Sequence, residues 1–100
     1  MAIDVNKEIR RAVDTGKVFF GKKESEKSVL KGKAEIMIFS KSATKLVREK
    51  LSHLLKATST PVYEFTGTGL ELGAVCGKPF TVSVMVIQKS GKSKILSAVK

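Results

Sequence analysis

The chain has 100 residues, 42% of them apolar, enough for one buried core and too many for a disordered tail. Nineteen Lys and Arg against nine Asp and Glu give a formal charge of +10, which points to a polyanionic partner and away from a small neutral substrate. The longest apolar runs, Ile36 to Phe39 and Val82 to Ile87, are far shorter than the roughly 20 residues that cross a bilayer, so no membrane partner is expected.

In chain order, Val5, Ile9, Ala12 and Val13 recur at helical spacing behind Asp4, a good cap, and Gly16 stands where that helix would stop. Lys17 to Phe20 reads as a short strand and Lys22 to Lys31 as a second helix. The continuous apolar run Ala34 to Ser40, rich in branched and aromatic residues, reads as an internal strand. Ser42 or Thr44 can cap a third helix with a stripe of Val47, Leu51, Leu54 and Leu55, ending near Ala57. Val62 to Phe65 is a third strand. Gly67-Thr-Gly69 opens a short helix through Val75, closed by Gly77, and Thr81 to Gln88 is a fourth strand. Ser90-Gly91-Lys92 forms a turn before a short apolar tail.

This alternation predicts a single α/β domain over 1-100, a three-layer α/β/α sandwich around about four strands. Helix-then-strand order favours a mixed, mostly parallel sheet in which a terminal strand can run antiparallel. No signal peptide is visible, and one cysteine, Cys76, cannot form an internal disulfide, so a cytosolic setting is expected. With His53 the only histidine, no zinc spacing can be built, and neither metal nor cofactor is expected.

Three constellations bear on chemistry. Gly67-Thr-Gly69-Leu-Glu-Leu-Gly73 follows a strand and opens a helix, the context of a dinucleotide loop. Its spacing is GxGxxxG and no acid follows Glu71 to take a ribose, so close helix packing is the simpler reading. His53 falls off the apolar stripe, four residues after Glu49, and no nucleophile is tied to it; Cys76 reads as a buried small hydrophobe. No enzyme is expected. The third constellation is Gly21-Lys-Lys-Glu-Ser-Glu-Lys27, which puts two lysines on the first turn of a helix, where the dipole disfavours cations by about 0.3 to 1 kcal/mol. Phosphate arriving at that turn would neutralise both the lysines and the dipole. Lys23 and Lys27 share a face with Glu24 beside it, an acid better suited to accept a hydrogen bond from a base than to hold a backbone.

The pattern Gly21-x-Lys23-Glu24-x-x-Lys27, then Gly32-Lys33-Ala34 and an apolar strand, resembles the RNA-contacting helix of the kink-turn RNA-binding ribosomal protein superfamily. The resemblance continues through Thr15-Gly16-Lys17, Pro61-Val62-Tyr63, Glu71-Leu72-Gly73 and Gly77-Lys78-Pro79-Phe80-Thr81-Val82, over nearly the whole chain. Its closest likeness is to the archaeal, eukaryotic-type large-subunit branch, which shares Lys23-Glu24 where other kink-turn binders carry Asn-Glu. The resemblance implies the same sandwich fold, a ribosomal RNA partner with sheared G·A pairs, and neighbouring large-subunit components. It implies contacts to the G·A pairs and phosphates from Gly21, Lys23, Glu24 and Lys27, and a pocket for an extruded nucleotide from Pro79, Phe80 and Thr81. Lys22, Gly69, Glu71 and Leu72 complete the candidate RNA-binding set. The protein is then expected to be monomeric when free, cytoplasmic on the ribosome, and without a small-molecule substrate. Lys89, Lys92 and Lys94 could touch further ribosomal RNA. Two other readings stand beside this one: a chromatin-type protein coating duplex DNA, which the charge alone allows, and a small nucleotide-binding domain using Gly67 and Gly69.

Overall fold

A computed structural model describes residues 4–95. Four helices and four strands alternate: α1 (Val5–Thr15), β1 (Lys17–Phe20), α2 (Lys22–Leu30), β2 (Ile36–Phe39), α3 (Lys45–Thr58), β3 (Val62–Glu64), α4 (Gly69–Val75) and β4 (Val84–Lys89). The apolar tail read after Lys92 lies mostly outside the described residues; its first member, Ile95, is buried. Among the described residues no helix is long and apolar enough to cross a membrane.

The local signals act as their chemistry requires. Asp4 caps α1 by accepting the Lys7 backbone N–H at 3.3 Å, and Thr44 caps α3 by accepting from Val47 at 3.3 Å. At the far end of α1 the Gly16 N–H donates to the Ala12 carbonyl, and a Cβ at Gly16 would overlap the Lys89 carbonyl oxygen, so the chain can turn into β1 only with glycine there.

The period-2 alternation of β2 divides the core. Ile36 and Ile38 face Ile9 and Ala12 of α1 and Leu72 of α4, together with Met85 and Ile87 of β4. Met37 and Phe39 face the other way, into Val29 of α2, Leu51 and Leu55 of α3, and Val84. The sheet is therefore covered on both sides, α1 and α4 on one face and α2 and α3 on the other, which is the three-layer arrangement expected from the helix and strand order.

One expectation is corrected. The sheet is mixed, but its order is β1-β4-β2-β3, and β4 runs antiparallel to both β1 and β2; only β2 and β3 are parallel neighbours. The last strand does run against the others, as a terminal strand can, yet it sits inside the sheet instead of at its edge, so most neighbour pairs are antiparallel. The reason lies in its side chains: Val84, Met85, Val86 and Ile87 are all buried, whereas β1 is only half-buried and opens with an exposed lysine. A strand that is apolar on both faces is covered best in the middle of a sheet, where helices lie over both sides. The strand also starts three residues later than the Thr81 to Gln88 run suggests. Val82 N–H donates to the Gly69 carbonyl (2.9 Å), and the Ser83 carbonyl accepts from the backbone N–H and the hydroxyl of Ser40, so these residues tie α4 and β2 together before the ladder begins.

Candidate nucleic-acid interface

Gly21 joins β1 to α2 with φ 97° and ψ 161°, a combination open essentially to glycine alone. Its N–H donates to the Val84 carbonyl at 2.9 Å and its carbonyl accepts from Ser25, so the glycine is fixed at both ends. A Cβ there would meet nothing within 4 Å, so the dihedral alone demands glycine. Glycine has no side chain to cap a helix, and α2 is the one helix among the described residues that begins without a side-chain cap. Its first N–H groups are left open at the positive end of the dipole.

Around that opening stand Lys22, Lys23, Glu24 and Lys27, all exposed. Among the described residues, none of the four takes part in an ion pair; the acid of α2 that does is Glu26, 4.0 Å from Lys50 on α3. The cations at the helix start thus carry uncompensated charge.

The loop before β4 reaches the same place. Phe20, Gly21, Lys22, Val47, Phe80, Thr81, Val82, Ser83 and Val84 line one groove of about 400 Å³. Phe80 is 46% exposed, and its ring meets Phe20 edge-on with centroids 5.9 Å apart. That contact holds the Phe80 ring upright while a face stays available for stacking. The Lys78 ammonium lies 5.7 Å from the centre of the Phe20 ring, adding a cation to the rim.

The candidate set divides by what each residue touches. Gly21 and Lys22 border the groove together with Phe80 and Thr81. Glu24 and Lys27 line a neighbouring recess with Lys17, Lys31 and Lys33. Lys23 and Pro79 are exposed, although neither lines those two cavities.

The three α4 candidates occupy different surroundings. The Leu72 side chain has no exposed surface and belongs to the core under the sheet, where it anchors α4. Gly69 is buried, with its N–H donated to the Ser42 hydroxyl (2.8 Å) and its carbonyl accepting from Val82. Glu71 donates its N–H to the Thr68 hydroxyl, the cap of α4, at 3.2 Å, and its carboxylate lies 3.4 Å from the same hydroxyl.

The glycines of Gly67-Thr-Gly69-Leu-Glu-Leu-Gly73 serve close packing, in accord with the simpler sequence reading. A Cβ at Gly69 would come within 2.5 Å of the Thr81 methyl, and one at Gly73 would overlap the Phe80 carbonyl oxygen. Missing side chains on α4 are what allow the Phe80 loop to lie where it does.

Sequence reasoning missed Phe20, Val47, Ser83 and Lys78 as parts of this surface. Phe20 carried a readable signal, an aromatic immediately before the glycine of the basic helix. Val47 belongs to the apolar stripe of α3 and gave none.

Other features lie apart from the groove. Cys76 is buried, its thiol 3.7 Å from the Met85 sulfur, and burial pushes its pKa up to about 11 against the opposing pull of Lys78 and Arg10. Such a thiol is inert at neutral pH. His53 is exposed on α3, while Glu49 lies 3.9 Å from Lys45. A slightly larger cleft, about 440 Å³, opens between α3 and β3. Its one guanidinium, Arg48, is already committed to the Ala43 and Ser40 carbonyls, to Glu64, and to the face of Phe39.

Residues 3–97 match the Ribosomal protein L7Ae/L30e/S12e/Gadd45 family. The chain belongs to that family. It is 43% identical over 94 residues to the "Large ribosomal subunit protein eL30" of Methanosphaera stadtmanae, an alignment covering 94% of this chain and 96% of the relative. It is 42% identical over 98 residues to the protein of the same name from Methanocaldococcus jannaschii, covering 98% of this chain and 89% of the relative. A solved structure described as a protein with unknown function from Bacillus halodurans C superposes with a TM-score of 0.82 at 22% identity, over 96% of this chain and 95% of that one. At that identity the match speaks for the fold, and it agrees with the four helices and mixed sheet described above.

Proposed function

We propose that this chain is a structural constituent of the large ribosomal subunit, an RNA-binding protein with no catalytic step that grips a kink-turn or similar internal loop of ribosomal RNA. The names of its relatives support the first half of the reading. The observation that carries the second half is the shared groove, in which the uncapped start of α2 and the Phe80 loop border one cavity.

Each part has a chemical task. The open N–H groups of α2 with Lys22, Lys23 and Lys27 hold phosphates, and Glu24 accepts a hydrogen bond from a base amino group at a G·A pair. Phe80 offers its face to an unstacked nucleotide between Pro79 and Thr81. RNA is read at such irregular sites because the deep groove of a regular A-form helix excludes side chains. The free protein acts as a monomer, in the cytoplasm where ribosomes work, and its further partners are neighbouring components of the subunit.

The test is binding to a kink-turn RNA and to a straight duplex of equal length at two salt concentrations, for the natural protein, Phe80→Ala and Lys27→Ala. The bent RNA should be preferred. Loss of one stacked base at Phe80 should weaken it by about 1 to 3 kcal/mol, roughly 5- to 150-fold. Lys27→Ala should lower the salt slope by about one. Equal binding of both RNAs, indifferent to Phe80→Ala, would leave only a general polyanion surface.

A further inference from the structure

The sheet has two edges, and they are finished differently. The edge strand β1 carries Lys17 and a break in register between Lys17 and Val18, devices that keep an edge from pairing with another chain. At the other end of the order β1-β4-β2-β3, the edge strand β3 has neither. Its charged residue, Glu64, is held by the Arg48 guanidinium of α3. Val62 is 40% exposed, a large apolar side chain on an open edge.

The bonds between β3 and β2 show which backbone groups are left over. The Pro61 carbonyl accepts the Met37 N–H at 3.0 Å and the Phe65 N–H donates to the Phe39 carbonyl at 2.7 Å, so Pro61 and Phe65 turn their polar groups toward β2. Backbone direction alternates along a strand, so Tyr63 turns the same way and Val62 and Glu64 point outward. Proline guards many sheet edges by removing a donor, but the donor missing at Pro61 is one that would face β2. Val62 and Glu64 each keep an N–H and a C=O at the rim.

Beside that rim lies the cleft of about 440 Å³ between α3 and β3, with Phe39, Leu55 and Val62 as its apolar lining and Ser52, Lys56 and Thr60 among its polar lining. The end of α3 fixes its shape: Ser59, at φ 55°, closes the helix, and the N–H groups of Ser59 and Thr60 donate to the Lys56 and Leu55 carbonyls at 3.3 and 3.0 Å. A residue directly opposite Val62 on an added strand projects its side chain to the same face, into this cleft. Open backbone groups give such a strand affinity, and a pocket for alternate side chains gives it specificity.

We infer that the β3 edge docks an extended segment of another protein, which adds a strand to the sheet, seats an apolar side chain in the cleft and brings an acidic residue to Lys56. The charge selects that partner. Lys56 is exposed and, among the described residues, in no ion pair, whereas Arg48 and Glu64 neutralise each other. Two copies of this chain would set +10 against +10, so a neutral or acidic segment fits where a second copy is repelled. The cleft shares no residue with the Phe80 groove, and β2 separates β3 from β4, so the inference does not use the RNA reading.

The probe is a short labelled peptide of alternating valine and threonine with an aspartate at each end, titrated into the natural protein and followed by fluorescence anisotropy. Saturable binding is expected, changed less than about twofold by a saturating kink-turn hairpin. Two N-methylated versions, blocked at the valine or at the threonine amides, test the geometry, because a strand turns only every second amide toward its neighbour. One version should bind at least about tenfold more weakly and the other within about threefold of the unmodified peptide. With the valines in the cleft, loss at the valine amides marks an antiparallel strand and loss at the threonine amides a parallel one. Val62→Lys sets a guarding charge on the edge and should weaken the peptide at least about tenfold, with the melting temperature and the hairpin affinity close to those of the natural protein. If that variant does not fold, the methylated peptides still decide. No saturable binding below about 1 mM, equal responses to the two methylated peptides, or displacement of the peptide by the hairpin would overturn the inference. So would sedimentation showing that the free protein dimerises and that Val62→Lys separates the copies, since the edge would then belong to a second copy.

Discussion

The helices α2 and α3 lie on the same face of the sheet and begin in opposite ways. At the start of α3, Thr44 accepts the Val47 N–H, so the helix opening is closed by the protein itself. At the start of α2, Gly21 offers no side chain, and the first turn carries Lys22 and Lys23 where an acid would be stabilising. The first arrangement serves folding, and the function proposed above gives the second to a ligand. On that proposal an apparent fault in helix design becomes intelligible, because the ligand counts as part of the structure.

That contrast can be broken from the packing side. Gly73→Ala sets a methyl against the Phe80 carbonyl, and overpacking of this kind costs about 1 to 3 kcal/mol. Thermal unfolding should show the loss, and affinity for bent RNA should fall with it because the Phe80 loop is displaced. Gly21→Ala places alanine in a backbone region reserved for glycine, at a cost of about 1 to 3 kcal/mol, although the methyl itself finds open space. The expected result is lower stability together with weaker RNA binding. A Gly21→Ala variant as stable as the natural protein would mean that the chain relaxes out of the positive-φ region at this turn.

Thr44→Ala sharpens the comparison. It should cost about 1 kcal/mol of stability, the usual loss of a cap, and leave affinity for bent RNA unchanged within about twofold. Chemical denaturation alongside an RNA titration checks both halves. If RNA binding falls as much as for Lys27→Ala, the two helix starts are not functionally separate.

The sequence made much of this legible. The caps Asp4 and Thr44, the alternation of β2, the glycine at the head of the basic helix and the buried cysteine all rest on short-range chemistry, and short-range chemistry is written in neighbouring residues. The place of β4 was harder to read. Alternating helices and strands allow the last strand to run antiparallel, but its insertion between β1 and β2 follows from burial on both faces, which an apolar run states only weakly. The division of labour on α4 was likewise hidden. Leu72 and Gly69 fall beside Glu71 in the chain, yet the first is core, the second is sealed by Ser42 and Val82, and the third donates its N–H to the Thr68 cap of the helix. The groove joins Gly21 to Phe80 across more than half of the chain, a juxtaposition that no local pattern encodes and that here came from the family resemblance.

The most direct test of the account is Lys22→Glu with Lys23→Glu, measured for thermal stability and for bent-RNA affinity in the same preparation. Acids in the first turn should stabilise α2 by about 0.3 to 1 kcal/mol each at low salt, while repelling the phosphates that the lysines would hold. The account predicts opposite signs, with a higher melting temperature and a large loss of affinity. A higher melting temperature with unchanged affinity would contradict it, because the helix start would then be an exposed basic turn and not the place where RNA is held.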